Sequence, residues 1–205
     1  MNISFLILLL FTFINYKKEE LKSEVILKEE IAKPHVQPEG KPTNLDSTLV
    51  LSFCNKVLTD FYTSTNYRTV WQSEEKRKII LRELLKSDEE GLIPEDYRVK
   101  TLFDFEKKAA SLDSVDLAKY DILLTSSLQK YISHLTNGRL NPRKLYKSWD
   151  LKPNEIDLNT TVAQLLQTDS LVYKIEQLKP YHIVYRRLKK HFSKLILFQK
   201  TTLNP

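Results

Sequence analysis

Beyond about residue 46, apolar positions recur at spacings of three and four, the repeat of amphipathic helices rather than the alternation of strands. Asp46-Ser47 caps the first such stretch, whose predicted buried face is Val50, Cys54, Val57, Leu58 and Phe61. From Tyr62 to Trp71, β-branched and aromatic residues around Asn66 predict an extended passage. Ser73 then caps a helix with Glu74 and Glu75 in its first turn and Ile80, Leu81, Leu84 and Leu85 as its buried stripe. Gly91 ends it, and Leu92 to Tyr97 is a turn broken by Pro94.

A short helix around Leu102, Phe103 and Phe105 precedes a longer one capped by Asp113, with Asp116 three residues on. Its stripe is Leu117, Tyr120, Leu124, Leu128, Tyr131, Ile132 and Leu135, and Gly138 stands where a left-handed C-terminal cap belongs. Arg139 to Pro142 forms the next turn. Thr160 starts TTVAQLLQT, Ser170 starts LVYKIEQL, and Pro180 opens a final helix. That helix carries Tyr181, Val184, Tyr185, Leu188, Phe192 and Leu195 on one side. The prediction is a single all-α domain of roughly six or seven helices, without an internal repeat.

The amino terminus breaks this pattern. Residues 3–14, ISFLILLLFTFI, are almost continuously apolar. The run is shorter than the roughly twenty residues a spanning helix needs and fits the apolar part of an export signal or a short anchor. No Lys or Arg precedes it and no Ala-x-Ala site follows. Residues 17–43 carry six Lys, six Glu and three spaced prolines, the composition of an extended tether. The expected organisation is a signal or anchor over 1–15, a linker over 16–43, the folded domain over 44–197 and a tail over 198–205. The linker is charge-balanced, so the whole net charge of +6 falls on the folded part.

Composition removes several activities. The 205 residues include only three glycines, Gly40, Gly91 and Gly138, too far apart for a phosphate-binding loop, a dinucleotide fingerprint or a nucleophile elbow. Cys54 is the one cysteine, set in an apolar run that suits a core position. The four histidines are scattered, so no metal site, cofactor or catalytic residue is predicted.

Three groups remain as candidates. The carboxylates Asp88, Glu89, Glu90, Glu95 and Asp96 flank Gly91, but the polar context points to a solvated helix end. Arg186, Arg187, Lys189, Lys190, His191 and Lys194 ring the side of the last helix opposite Tyr185, Leu188 and Phe192, and such a surface suits an anionic polymer. Arg68 with Trp71, Arg139 near Tyr131, and Trp149 form aromatic–arginine groups. These suit sugar or peptide binding when exposed and staple helix to loop when buried. The candidate binding residues are thus Arg68, Trp71, Arg139, Trp149, Arg186, Arg187 and Lys190.

Five ordered segments resemble the scaffold domain of large YcbB-like L,D-transpeptidases. They are Phe61-Tyr62 with Asn66 to Trp71, Gly91 to Tyr97, Tyr120 to Thr125, Tyr131 to Pro142 followed by Trp149, and Leu178 to Leu188. In that family the scaffold precedes a peptidoglycan-binding segment and a YkuD-type catalytic domain, whose cysteine thiolate attacks a tetrapeptide stem to form 3–3 cross-links. Its His-Gly pair and Ser-x-Gly-Cys block have no match here: Leu135 follows His134, and Asn55 follows Cys54. The resemblance therefore implies an exported, periplasmic scaffold in peptidoglycan metabolism, free or held at the membrane by its N-terminus. It would bind wall strands, a wall-synthesis protein or a separately encoded catalytic domain, and no nucleic acid. Two rivals stand beside it. One is a truncated L,D-transpeptidase, suggested by the apolar LILFQKTTLNP ending; the other is a basic helical module for an anionic polymer.

Overall fold

The computed structural model describes residues 40–202, so the expected signal and most of the linker and of the tail's last residues lie outside the described residues. No described helix is long and apolar enough to cross a membrane. The described chain is helical, and its β-pairing is an isolated bridge between Asn44 and Arg68.

Helix α1, Ser47–Phe53, begins where the Asp46 carboxylate accepts the Thr48 N–H. The sequence pattern predicts one helix through Phe61, but the chain breaks at Cys54. The Asn55 side chain accepts the Leu58 N–H and starts a second helix, α2, Lys56–Ser64. A side-chain amide that satisfies a helix-end donor competes with continuation of the preceding helix. The restart leaves Val57, expected in the core, 42 % exposed. The extended passage starts later than predicted: α2 runs to Ser64, and Asn66 and Tyr67 then take positive φ values of 55° and 54°. Thr43 and Leu45 pair with Thr69 and Tyr67 through backbone bonds of 2.9 and 2.7 Å, and Leu45 is buried.

Ser73 caps α3, Glu74–Leu85, as predicted, and Ile80, Leu81 and Leu84 are buried along it. A 3-10 turn, Lys86–Glu90, ends at Gly91 with φ 73° and ψ 17°, a left-handed position that glycine occupies without steric cost. A second 3-10 turn, Pro94–Tyr97, leads into α4, Val99–Glu106. Asp113 caps α5, Ser114–Asn137, by accepting the Asp116 N–H at 2.8 Å. Gly138 ends α5 with φ 79° but ψ 161°, so it stops the helix in an extended turn instead of the predicted left-handed cap.

Beyond it lie α6, Pro142–Leu145, α7, Leu158–Gln167, α8, Leu171–Gln177, and α9, Ile183–Thr202. Helix α7 starts two residues before the predicted Thr160 because the Asp157 carboxylate accepts the N–H groups of both Asn159 and Thr160. Helix α9 starts three residues after Pro180, where His182 Nδ1 accepts the Val184 N–H at 3.2 Å.

At about 1.5 Å per residue, α5 is the longest described element, and it packs against α2, α3, α4 and α7. Leu124, Leu128 and Ile132 are fully buried on it, each worth about 1.5–3 kcal/mol relative to exposure. One core cluster runs from Leu45 to Ile175. The last helix departs from expectation. On the side predicted to face inward, Tyr181, Val184, Leu188 and Phe192 are exposed while Tyr185 is half-buried, so α9 docks along one edge of that side. Leu195, expected on the same side, lies outside the described side chains.

Candidate binding surface

The first motif closes around a buried carboxylate. Asp121 sits on α5 and is 2 % exposed. One of its oxygens accepts the Tyr62 hydroxyl at 2.7 Å; the other accepts the N–H groups of Val70 and Trp71 at 2.9 and 3.0 Å. One turn on, Thr125 accepts the Trp71 indole N–H at 2.9 Å. Burial pushes the Asp121 carboxyl up to about 6, against hydrogen bonds from Tyr62, Trp71 and Val70 that pull it down. Trp71 is thus a core staple between the extended passage and α5, with its ring closed to a ligand. Arg68 stays exposed in the isolated bridge.

A second knot joins α3, α4 and α5. Arg77 pairs with Glu106 through Nε at 2.8 Å and a second nitrogen at 3.2 Å, and its remaining nitrogen donates to the carbonyls of Trp71 and Gln72. Tyr120 donates to the same Glu106 at 2.5 Å. Two parallel bonds fix an Arg–carboxylate pair in orientation as well as distance.

The Pro94–Tyr97 turn docks on the far end of α5. Tyr97 meets the Tyr131 ring edge-on at 5.3 Å and bonds His134 Nδ1 at 2.9 Å. Partial burial, with Lys130 nearby, holds His134 below its usual range, so its ring is neutral at pH 7. Arg139 reaches Asp96, at 2.5 Å, next to the tyrosine that covers Tyr131. Asp96 is held below the usual carboxylate range by that guanidinium.

The carboxylates around Gly91 do not behave as one solvated cluster. Glu90 has a side chain only 3 % exposed and takes Lys179 at 2.8 Å, Lys189 at 2.5 Å and the Tyr185 hydroxyl. Burial drives its carboxyl up, and these three partners together outweigh that and hold it below its usual range. Lys189 therefore lies on the Tyr185 side of α9, not on the outward basic side predicted for it. Arg186, Arg187 and Lys190 remain exposed, as predicted. The sequence carried one signal of this: Tyr185 and Lys189 are four apart and share a helix face.

Between α5 and α7, residues 139–152 form an outward segment. Asn154 pairs with Asn137 at its far end, N–H to Oδ1 at 2.6 Å, and its own amide caps the Thr136 carbonyl at 2.6 Å. With the Arg139–Asp96 pair, this holds the segment at both ends. Within it Leu140, Leu145, Tyr146, Trp149 and Leu151 are exposed, and the Tyr146 and Trp149 rings lie 6.4 Å apart with a 31° tilt. Beside it is an open depression of about 580 Å³ lined by Ser133, Asn137 and residues 153–158. Of the candidate binding residues, Arg139 and Trp149 both lie on this segment, Arg139 paired with Asp96 and Trp149 beside Tyr146. Arg186, Arg187 and Lys190 sit on α9, Arg68 stands by the bridge, and Trp71 is interior.

Reactive chemistry is sparse among the described residues. Burial pushes the Cys54 thiol up, so it is protonated at neutral pH. Among the described residues, no group of three or more His, Cys, Asp or Glu is placed to hold a metal ion.

A family model described as Scaffold domain matches residues 56–192, more than half of the chain. No curated protein and no solved structure matches it.

Proposed function

Because the chain belongs to the Scaffold domain family, we propose that it serves peptidoglycan metabolism as a non-catalytic, exported scaffold akin to that of L,D-transpeptidases. The observation that carries this reading is the use of the motif residues. Tyr62, Trp71 and Asp121 lock together in the interior, Tyr97 bonds His134 on α5, and Asp96 pairs with Arg139 at the surface, so the motif residues are used to tie segments of the fold together. Such residues hold a shape, and a held shape positions other molecules. The ligand of this reading is the wall strand, met in the periplasm, with residues 1–15 acting as export signal or anchor.

A second reading is favoured by one feature, the exposed Val184, Leu188 and Phe192 on α9. Here the scaffold seats a separately encoded catalytic domain. The two readings separate on incubating the purified full chain with tetrapeptide-rich sacculi. The first expects the chain to pellet with the sacculi and the muropeptide profile to stay free of new 3–3 products. New 3–3 cross-links from the chain alone would overturn the non-catalytic assignment. A chain that pellets only when a YkuD-type domain is present would favour the second reading.

A further inference from the structure

We propose that residues 139–152 are the contact surface for a carboxylate-bearing saccharide chain, an inference that rests on the wall-strand reading above. Three features point to this chemistry. The first is charge. The segment holds five cations against the single carboxylate of Asp150, a far stronger bias than the chain's +6 overall. Arg139 is taken by Asp96, but Arg143, Lys144, Lys147 and Lys152 are exposed and form no ion pair among the described residues. Cations grouped without counter-charges repel one another, and an anionic ligand relieves that repulsion.

The second is the ring pair. Tyr146 and Trp149 are 62 % and 38 % exposed, so ring surface faces solvent on a turn closed by the Trp149 N–H bond to the Tyr146 carbonyl at 3.2 Å. Aromatic faces pack against the C–H faces of sugar rings and carry large contact area at low entropic cost. The third is shape. Apart from half-buried Pro142, every residue of the segment is exposed between its two anchors, so a strand can reach it along its length, whereas an amphipathic helix from a protein partner needs a hydrophobic groove to lie in. A polymer laid along a ridge needs only repeated contacts. The anchors at Arg139–Asp96 and Asn154–Asn137 hold the ridge without using its rings or its four unpaired cations.

The test uses the full chain and two soluble probes: peptide-free glycan strands released from sacculi by an amidase, which leave lactyl carboxylates free, and polyglutamate as a polyanion without sugars. Trp149 and the interior Trp71 are the only tryptophans, so a fluorescence change on binding that is lost in Trp149→Phe reports the ridge itself. Two variants probe the contacts: Tyr146→Ala with Trp149→Ala, and Lys144→Glu with Lys147→Glu. All four side chains are exposed, and circular dichroism melting checks that the fold is kept.

The expected result is glycan binding about tenfold weaker in the aromatic variant. The charge variant should lose its affinity chiefly at low salt, where Debye screening is weak. Polyglutamate should compete poorly. If wild type and both variants bind alike, the ridge assignment is overturned while the wall-strand reading stands. Polyglutamate that competes as well as glycan would also overturn it and assign the ridge to acidic polypeptides. If the wild type binds neither glycan strands nor sacculi, the wall-strand reading itself falls, and this inference with it.

Discussion

Asp121 shows what a single buried carboxylate does here. It closes the Tyr62 hydroxyl and two backbone N–H groups against α5, so Asp121→Ala leaves interior donors unpaired at about 1–3 kcal/mol each. We expect a loss of about 3 kcal/mol or more, read as a lower urea midpoint with an unchanged slope. Its titration has a definite sign. The folded value is about 6 against an ordinary 3.8, so the folded state holds the proton over that interval. The group's contribution is complete below the unfolded value and falls as pH rises through about 6. In Asp121→Asn that decline should disappear from the pH series of urea midpoints.

Ser87 is the opposite case. Its hydroxyl is buried and has no hydrogen-bond partner among the described residues. Ser87→Ala should be neutral or stabilising by about 1 kcal/mol, and a lowered melting temperature would contradict this. Neither residue was singled out by the sequence pattern, for different reasons. Asp121 and Thr125 interrupt the α5 stripe as a polar pair four apart, which is a usable signal of a buried network. Ser87 sits among charged residues and looks like surface.

At the scale of elements, helix positions were more legible than helix docking. The caps at Asp46, Ser73 and Asp113 and the stripe of α5 follow directly from side-chain chemistry and period. Asn55 and Asp157 moved two boundaries because short polar side chains cap wherever the backbone frees donors for them. Helix α9 was misread at its face. The amphipathic pattern puts Tyr185 inward together with Val184, Leu188 and Phe192, but Glu90, 95 residues from Tyr185, takes Tyr185 with Lys189 and leaves the other three exposed. Pairing over that distance leaves no local mark.

The Glu90 clasp makes α9 acid-sensitive. Its carboxyl lies below its ordinary 4.5 through Lys179, Lys189 and Tyr185, with Glu83 and Glu176 as the nearby like charges. Its stabilisation is therefore present above about 4.5 and lost as pH falls through the folded value. Glu90→Ala should raise amide exchange in residues 183–192 about tenfold at neutral pH while leaving α5 protected, measured by hydrogen exchange with mass spectrometry. Lys189→Glu should do the same by setting two carboxylates against each other. Equal protection in wild type and both variants would show that α9 docks through other contacts.

For the whole molecule, the all-α class and one continuous core were readable from helical periodicity and scarce glycine. The ordered motifs marked the family because they are the places where distant segments lock: Trp71 to Asp121, Tyr97 to His134, Asp96 to Arg139. What the sequence could not show was which motif residues point inward. Trp71 and Trp149 look alike as aromatics near cations, yet one is core and the other surface, a distinction set only by tertiary packing. The outcome is an interior stitched by polar knots and an outside that concentrates unpaired cations and rings on residues 139–152.

Under the proposed function, this shape holds wall strands without acting on them. The most direct measurement is retention of the full chain on protein-free peptidoglycan sacculi at low and at high salt. The retained fraction should drop as salt screens the ridge cations but persist at high salt through ring contacts. A chain that stays in the supernatant at both salt concentrations would contradict it.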